Sequence, residues 1–272
     1  MRISRFVSHL PFLFDDLCQS DHPRDRLLLP ICQAVEGMAT ENKLALLNLA
    51  VSLLEEGEMY LEVGSWKGLS LIGAMWKNEH KSFIAIDNFS EFGGSEETLR
   101  GNLARYQMEK QGTLVNGDFL EVLSSGVVPP TRVGVFLYDG NHSFASQYQA
   151  LLRVMPFLAD GALVIVDDTS HYRVRAANAL FVASHPEFTL LFDIPSKYNG
   201  EPRWWNGIQV YSFCRKDPEG HLSRVRIWRD AGLYATSRVW YDIIVTPVHQ
   251  VLRRIRARLA HGLTCLVGGR HK

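Results

Sequence analysis

No run of about 18 consecutive apolar residues occurs anywhere in the 272-residue chain, so nothing in it reads as a membrane-spanning helix. The four cysteines (Cys18, Cys32, Cys214, Cys265) lack the paired spacing of a metal knuckle or a disulfide framework, and read as reduced thiols of a cytoplasmic protein. There is no internal repeat and no low-complexity tract. A signal peptide is not read either: Asp15 and Asp16 cut off the short apolar patch at Phe12–Phe14, and no small-residue cleavage site follows. A charge excess is also missing overall, with 29 basic and 29 acidic residues. That balance hides an asymmetry, because residues 221–272 hold ten Lys/Arg against only Asp230 and Asp242. An anionic partner belongs with that segment, while the acidic remainder and the lack of interleaved aromatic and basic residues argue against nucleic acid.

What is present is alternation. Short apolar or β-branched runs recur at Met59–Val63, Phe83–Asp87, Thr113–Asn116, Val133–Tyr138 and Ala162–Asp167, separated by stretches long enough for crossover helices. Strands apolar on both faces and joined by helices predict a parallel sheet covered on both sides. Two further runs, Phe188–Ile194 and Ile208–Phe213, are joined without a helical pattern and predict an antiparallel edge hairpin. The expected fold is therefore α/β, a Rossmann-like doubly wound sheet of about seven strands with helical extensions at both ends. Residues 1–39 read as an N-terminal extension, 40–215 as the α/β domain and 216–272 as a basic helical extension. Thr40 predicts the cap of a helix reaching about Leu54 with one apolar stripe, whereas Pro11, Pro23 and Pro30 argue against a long helix before it. Thr246-Pro247 to Gly262 predicts a basic amphipathic helix, with Arg253, Arg254, Arg256 and Arg258 on its polar side.

The glycine-bearing turn after the first run, Glu62-Val-Gly64-Ser65-Trp-Lys-Gly68, has Gly-x-x-x-Gly spacing rather than the Gly-x-Gly-x-x-Gly of dinucleotide folds. A ligand without phosphate, such as S-adenosylmethionine (SAM), needs no glycine-rich pyrophosphate cradle. Gly64 and Gly68 would give the turn and ligand access, Ser65 a place in the loop, and Glu62 a carboxylate for polar groups of the cofactor. Asp87 ends the next run 19 residues after Gly68, where an acid accepts ribose hydroxyls in nucleoside-binding folds. Asp118, after the third run, stands ready for the adenine amino group. A tight structural turn is the competing reading of the glycines alone.

Together with Tyr138-Asp139-Gly-Asn-His142-Ser and Gly161-Ala-Leu-Val-Ile-Val-Asp167-Asp168, these residues resemble class I SAM-dependent methyltransferases over about residues 35–215. The subgroup that the chain resembles includes the metal-dependent sugar and macrolide O-methyltransferases. Asp139, Asp167 and Asp168 stand at the ends of adjacent predicted strands, and converging carboxylates suit a hard ion such as Mg²⁺. The 28-residue separation of Asp139 and Asp167 also resembles that of the metal ligands in catechol-type O-methyltransferases. By that resemblance His142, three residues after Asp139, is the catalytic base. Capping of the following helices is the alternative for the acids, and an ordinary turn residue is the alternative for His142.

The loop at 195–206, with Tyr198, Arg203, Trp204 and Trp205, either contacts the acceptor or packs on the N-terminal extension. Residues 88–94 form a loop that could cover the cofactor. The leading expectation is Mg²⁺-assisted O-methylation of a small hydroxylated or glycosylated molecule. A metal-independent enzyme acting on nitrogen or carboxylate and a catalytically silent scaffold are the rivals. A homo-oligomer, and contact of residues 246–261 with an anionic membrane surface or partner, complete the expectations.

Overall fold

In the computed structural model, which describes residues 3–215, the alternating runs become the layers of one sheet. In chain order the elements are α1 (Ile3–Leu13), α2 (Leu29–Ala34), α3 (Glu41–Ser52), β1 (Met59–Val63), α4 (Leu69–Met75), β2 (Ser82–Asp87), α5 (Glu96–Arg105) and β3 (Gly112–Asn116). Then follow α6 (Phe119–Ser124), β4 (Val133–Tyr138), α7 (Phe144–Val154), β5 (Leu158–Asp167), α8 (Tyr172–Ser184), β6 (Phe188–Ile194) and β7 (Ile208–Phe213). The strands lie in the order β3-β2-β1-β4-β5-β7-β6. The first five are parallel, and β7 runs antiparallel between β5 and β6. This is the Rossmann-like sheet with an antiparallel hairpin at its edge that the apolar runs predict. Every residue of β4 is buried, as expected of a central strand with both faces covered. The basic helix expected at 246–261 lies outside the described residues, and among those described no helix is long and apolar enough to cross a membrane.

Helix α3 is capped as predicted, with Thr40 Oγ1 accepting from the Lys43 N–H at 3.3 Å. The stripe of Leu44, Leu47, Val51 and Leu54 is buried as expected, and burial extends beyond it. Glu41, Asn42 and Lys43 are buried along with Leu44, Ala45, Leu46, Leu47, Ala50 and Val51, because α1, α2 and α4 enclose it. The N-terminal segment holds no long helix, as its prolines predict, but two short ones, α1 of 11 residues and α2 of 6. Pro30 sits in the first turn of α2, where a missing N–H costs little, while Pro11 takes one hydrogen bond from α1, which ends two residues later. Phe6, Leu10, Phe14 and Ile31 from this segment join the main core.

The register explains how distant residues converge. Val63 pairs with Ile86 on one side and Tyr138 on the other, and Tyr138 pairs with Val166. The four strands therefore end in step, which brings Gly64, Asp87, Asp139 and Asp167 to one level of the sheet edge. Strand order reverses between β1 and β4, and open parallel sheets bind ligands outside the carboxyl ends of the strands at such a point.

Candidate active site

A cavity of about 410 Å³ opens at this edge, within the roughly 300–1,000 Å³ of small-molecule sites. Gly64, Ser65, Asp87, Asp118, Asp139, His142, Asp167 and Asp168 all contribute to its wall. Gly64 is needed twice over. Its φ is +90°, and a Cβ there would lie 2.0 Å from the carbonyl oxygen of Asp139. Gly68 also has a φ of +90° and precedes α4, but what a Cβ there would meet is Leu99, not the cavity. Its role is a packed turn.

Asp87 is held by its surroundings before any ligand arrives. One carboxylate oxygen accepts from the Trp66 N–H and the other from the Phe89 N–H, both at 2.7 Å. Trp66 and Phe89 have φ of 45° and 51°, an uncommon conformation for residues with a side chain. The carboxylate thus anchors two strained loops while retaining lone pairs toward the cavity. Asp118 caps α6, accepting from the N–H groups of Leu120 and Glu121 at 2.9 and 3.4 Å. Beyond Asp87, Asn88, Ser90, Glu91 and Phe92 border the cavity.

Glu62 is not on the cavity wall. Strand alternation turns it to the same face as Tyr60, whose hydroxyl donates to it at 2.5 Å, while Ser70 donates to its other oxygen at 2.8 Å. Burial raises the Glu62 carboxyl to about 7 against the pull of these hydrogen bonds. The expectation that Glu62 contacts a cofactor directly is replaced by a role beneath the floor, where it fixes Ser70, a cavity residue.

The carboxylates at the ends of β4 and β5 also differ from expectation. Asp167 is 2% exposed, and one of its oxygens contacts the ammonium of Lys43, a residue that sequence reasoning passed over. Its other oxygen accepts from the Asp168 N–H at 2.8 Å. A divalent ion at Asp167 would have to share its carboxylate with an ammonium already in contact with it, in a site with almost no water. The set Asp139, Asp167 and Asp168 therefore does not fit Mg²⁺ as expected. The described residues whose ligand atoms do come together, within 4.8 Å of one another, are His142, Asp168 and His171. Burial would lower the Lys43 ammonium, but Asp167, Asp139 and Asp168 outweigh it and hold the group above its ordinary value.

His142 lies between acids. Its Nε2 is 2.8 Å from Asp168 Oδ2 and 3.8 Å from Asp139 Oδ1. The nearer contact is at an ion-pair distance. Burial alone would lower the imidazole, yet the two carboxylates raise it to about 10. Burial likewise works to raise Asp168, and the facing His142 brings it below its ordinary value instead. Asp168 has a φ of 54°, a strained conformation of the kind that collects at functional sites. His171 stacks on His142 with ring centroids 5.4 Å apart.

The two tryptophans of the 195–206 loop divide the readings offered for them. Trp204 is 2% exposed, donates from its indole to the Leu17 carbonyl at 3.1 Å and packs on Phe14. Trp205 faces the cavity together with Met38 and Phe92. Neighbours in sequence thus do opposite work, one fastening the N-terminal segment and one walling the site.

A family model described as a methyltransferase domain matches residues 61–169. An uncharacterised protein of Acanthamoeba polyphaga mimivirus is 24% identical over 131 residues, which span 46% of this chain and 58% of that protein. Among solved structures, the chain resembles an O-methyltransferase from Bacillus cereus in complex with SAH, with 14% identity and a TM-score of 0.52 over 70% of this chain and 92% of that one. It also resembles the O-methyltransferase TomG from Streptomyces achromogenes, involved in tomaymycin synthesis and solved with SAM. There the identity is 16% and the TM-score 0.54, over 79% of this chain and all of that one. At these identities the likeness is one of fold.

Proposed function

We propose that this class I SAM-dependent methyltransferase methylates a hydroxyl oxygen of a small hydroxylated or glycosylated molecule, with His142 as the base. The observation that carries this reading is the position of His142, on the cavity wall between Asp139 and Asp168, in the same cavity as Ser65 and Asp87. Asp87 holds the ribose hydroxyls, with Ser65 and the buried, unpartnered indole N–H of Trp66 as further polar groups for the cofactor. SAM, when bound, supplies a methyl group already activated on a sulfonium, so no covalent intermediate on the protein is required. What remains for the chain is alignment and removal of one proton.

Asp139 and Asp168 make His142 a stronger base than a free imidazole, with its proton held up to about 10. That matches the acidity of a phenol-type hydroxyl, about 10; His142 must lose its own proton before it takes the acceptor's, so the neutral imidazole that acts as base grows as pH rises towards 10. An acceptor with a ring-borne, acidic hydroxyl is the best fit within the class, and Trp205, Met38 and Phe92 give such a ring apolar walls. No step of this mechanism runs through a metal ion.

The test is calorimetry with SAM, followed by incubation of the protein with metabolite extracts and methyl-labelled donor. The expected product is an ether whose label survives mild alkali. Label released by alkali marks a methyl ester, and label on nitrogen marks an N-methyltransferase; either overturns the O-methyl assignment. Absence of SAM binding overturns the reading as a whole.

A further inference from the structure

We propose that the Lys43 ammonium is the built-in cation of the carboxylate cluster, so that this chain binds no divalent ion there and transfers methyl groups without one. The inference rests on the methyltransferase reading only in its second half; the first is a statement about charge and can be tested alone.

Both members of the pair are 1% exposed, and the ammonium contacts the carboxylate directly. Neither group could be buried alone, because an isolated charge taken from water would neutralise itself rather than remain ionised. Lys43 projects from α3, 124 residues before Asp167, and is not on the cavity wall. It therefore reaches the cluster from behind, while Asp139 and Asp168 face the cavity. A divalent ion placed against Asp167 would have to displace the ammonium or lie beside it, and two cations a few ångströms apart in a poorly solvated site repel strongly. Asp168 and Asp139 meanwhile have a cationic partner of their own in His142. Three carboxylates thus face two cationic groups, Lys43 and His142, so at most one negative charge is left for a metal to neutralise. Lys43 is not on the cavity wall and is a positioning residue: it fixes the charge of the cluster.

The test is a Mn²⁺ titration of the full-length chain at pH 8, followed by electron paramagnetic resonance, with SAM binding measured in parallel. The wild-type chain should show no saturable Mn²⁺ site in the cluster, and its SAM affinity should not change in chelator. Lys43→Met keeps the length of the side chain and removes the charge, so it should bind Mn²⁺ at least about tenfold more tightly than wild type. Lys43→Met with Asp167→Asn should return to wild-type behaviour. Saturable Mn²⁺ binding by the wild-type chain that is lost in Asp168→Asn overturns the proposal, as does a folded Lys43→Met that gains nothing. Should Lys43→Met fail to fold, the wild-type titration decides, together with SAH formation in chelator: full turnover there supports the built-in cation, and loss restored by Mg²⁺ overturns it. Failure of SAM binding itself, with the Mn²⁺ results as expected, rejects the methyltransferase reading and leaves the charge assignment standing.

Discussion

The two halves of the cavity are built on different principles. At the ends of β2 and β3, Asp87 and Asp118 face outward from the sheet and are held by backbone N–H groups, most of them two or three residues away. At the end of β5, Asp167 is sealed from solvent and held by a side chain 124 residues distant. The first half is a set of local turns whose chemistry can be read along the chain. The second is a charge cluster that exists only because α3 packs over the sheet edge. The comparison suggests a division of labour, in which the β1–β3 side binds and the β4–β5 side sets proton affinity.

The largest effect expected from that division is on turnover. His142→Ala should slow methyl transfer by about 10²–10⁴ while SAM affinity, measured by calorimetry, stays within about twofold of wild type. A comparable loss of SAM affinity would erase the distinction between the halves. The pH profile sharpens the same point. With the His142 proton held to about 10, kcat/KM should climb about tenfold per pH unit through the neutral range and level off towards pH 10. Asp168→Asn should move that inflection down, and a flat wild-type profile would remove His142 as the base. The same shift has a stability consequence. A histidine whose value rises from 6.5 to about 10 on folding stabilises fully below about pH 6.5 and loses that contribution as pH rises through 10. The melting temperature of wild type should therefore fall more steeply between those limits than that of His142→Gln.

Next in size is the buried pair. Lys43→Ala leaves Asp167 without its counterion and should cost about 3–5 kcal/mol in chemical denaturation, whereas Lys43→Met with Asp167→Leu should recover most of it. Equal losses in the single and double variants would mean that packing, not charge, is what α3 supplies.

Asp87→Ala follows. Each charge-assisted hydrogen bond lost is worth about 1.5–3 kcal/mol, so SAM affinity should drop at least about tenfold. The variant also releases the strained Trp66 and Phe89 loops, so part of the loss should appear as weaker protection of their N–H groups from hydrogen exchange. The smallest effect is expected at Asp118. As the cap of α6 it should cost about 0.5–2 kcal/mol of stability when changed to Ala, with SAM affinity changed by less than about threefold. A tenfold loss of affinity would restore the adenine contact that the residue's place in the chain suggests.

The sequence by itself determined the sheet, because a strand apolar on both faces and an amphipathic crossover are local patterns of composition. Six residues of β4 that are apolar or small, in a chain of such runs spaced by helical stretches, read as a covered strand, and the lack of a helical pattern between β6 and β7 reads as a hairpin. It also determined which polar residues stand at strand ends, hence Asp87, Asp139, His142 and Asp168 at one cavity. Only the tertiary structure decided what those residues do to one another. Glu62 turns from ligand contact to floor because a strand's alternation sends it to the face of Tyr60 and Ser70. Trp204 and Trp205 separate because one finds Leu17 and Phe14 of the N-terminal segment and the other the cavity, partners far from both in the chain. Lys43 looks in sequence like any lysine in the first turn of a helix, a residue type that is almost never buried without a partner. Its partner is named nowhere near it, since the energy that holds it there is Coulombic and depends on distance through space rather than along the chain.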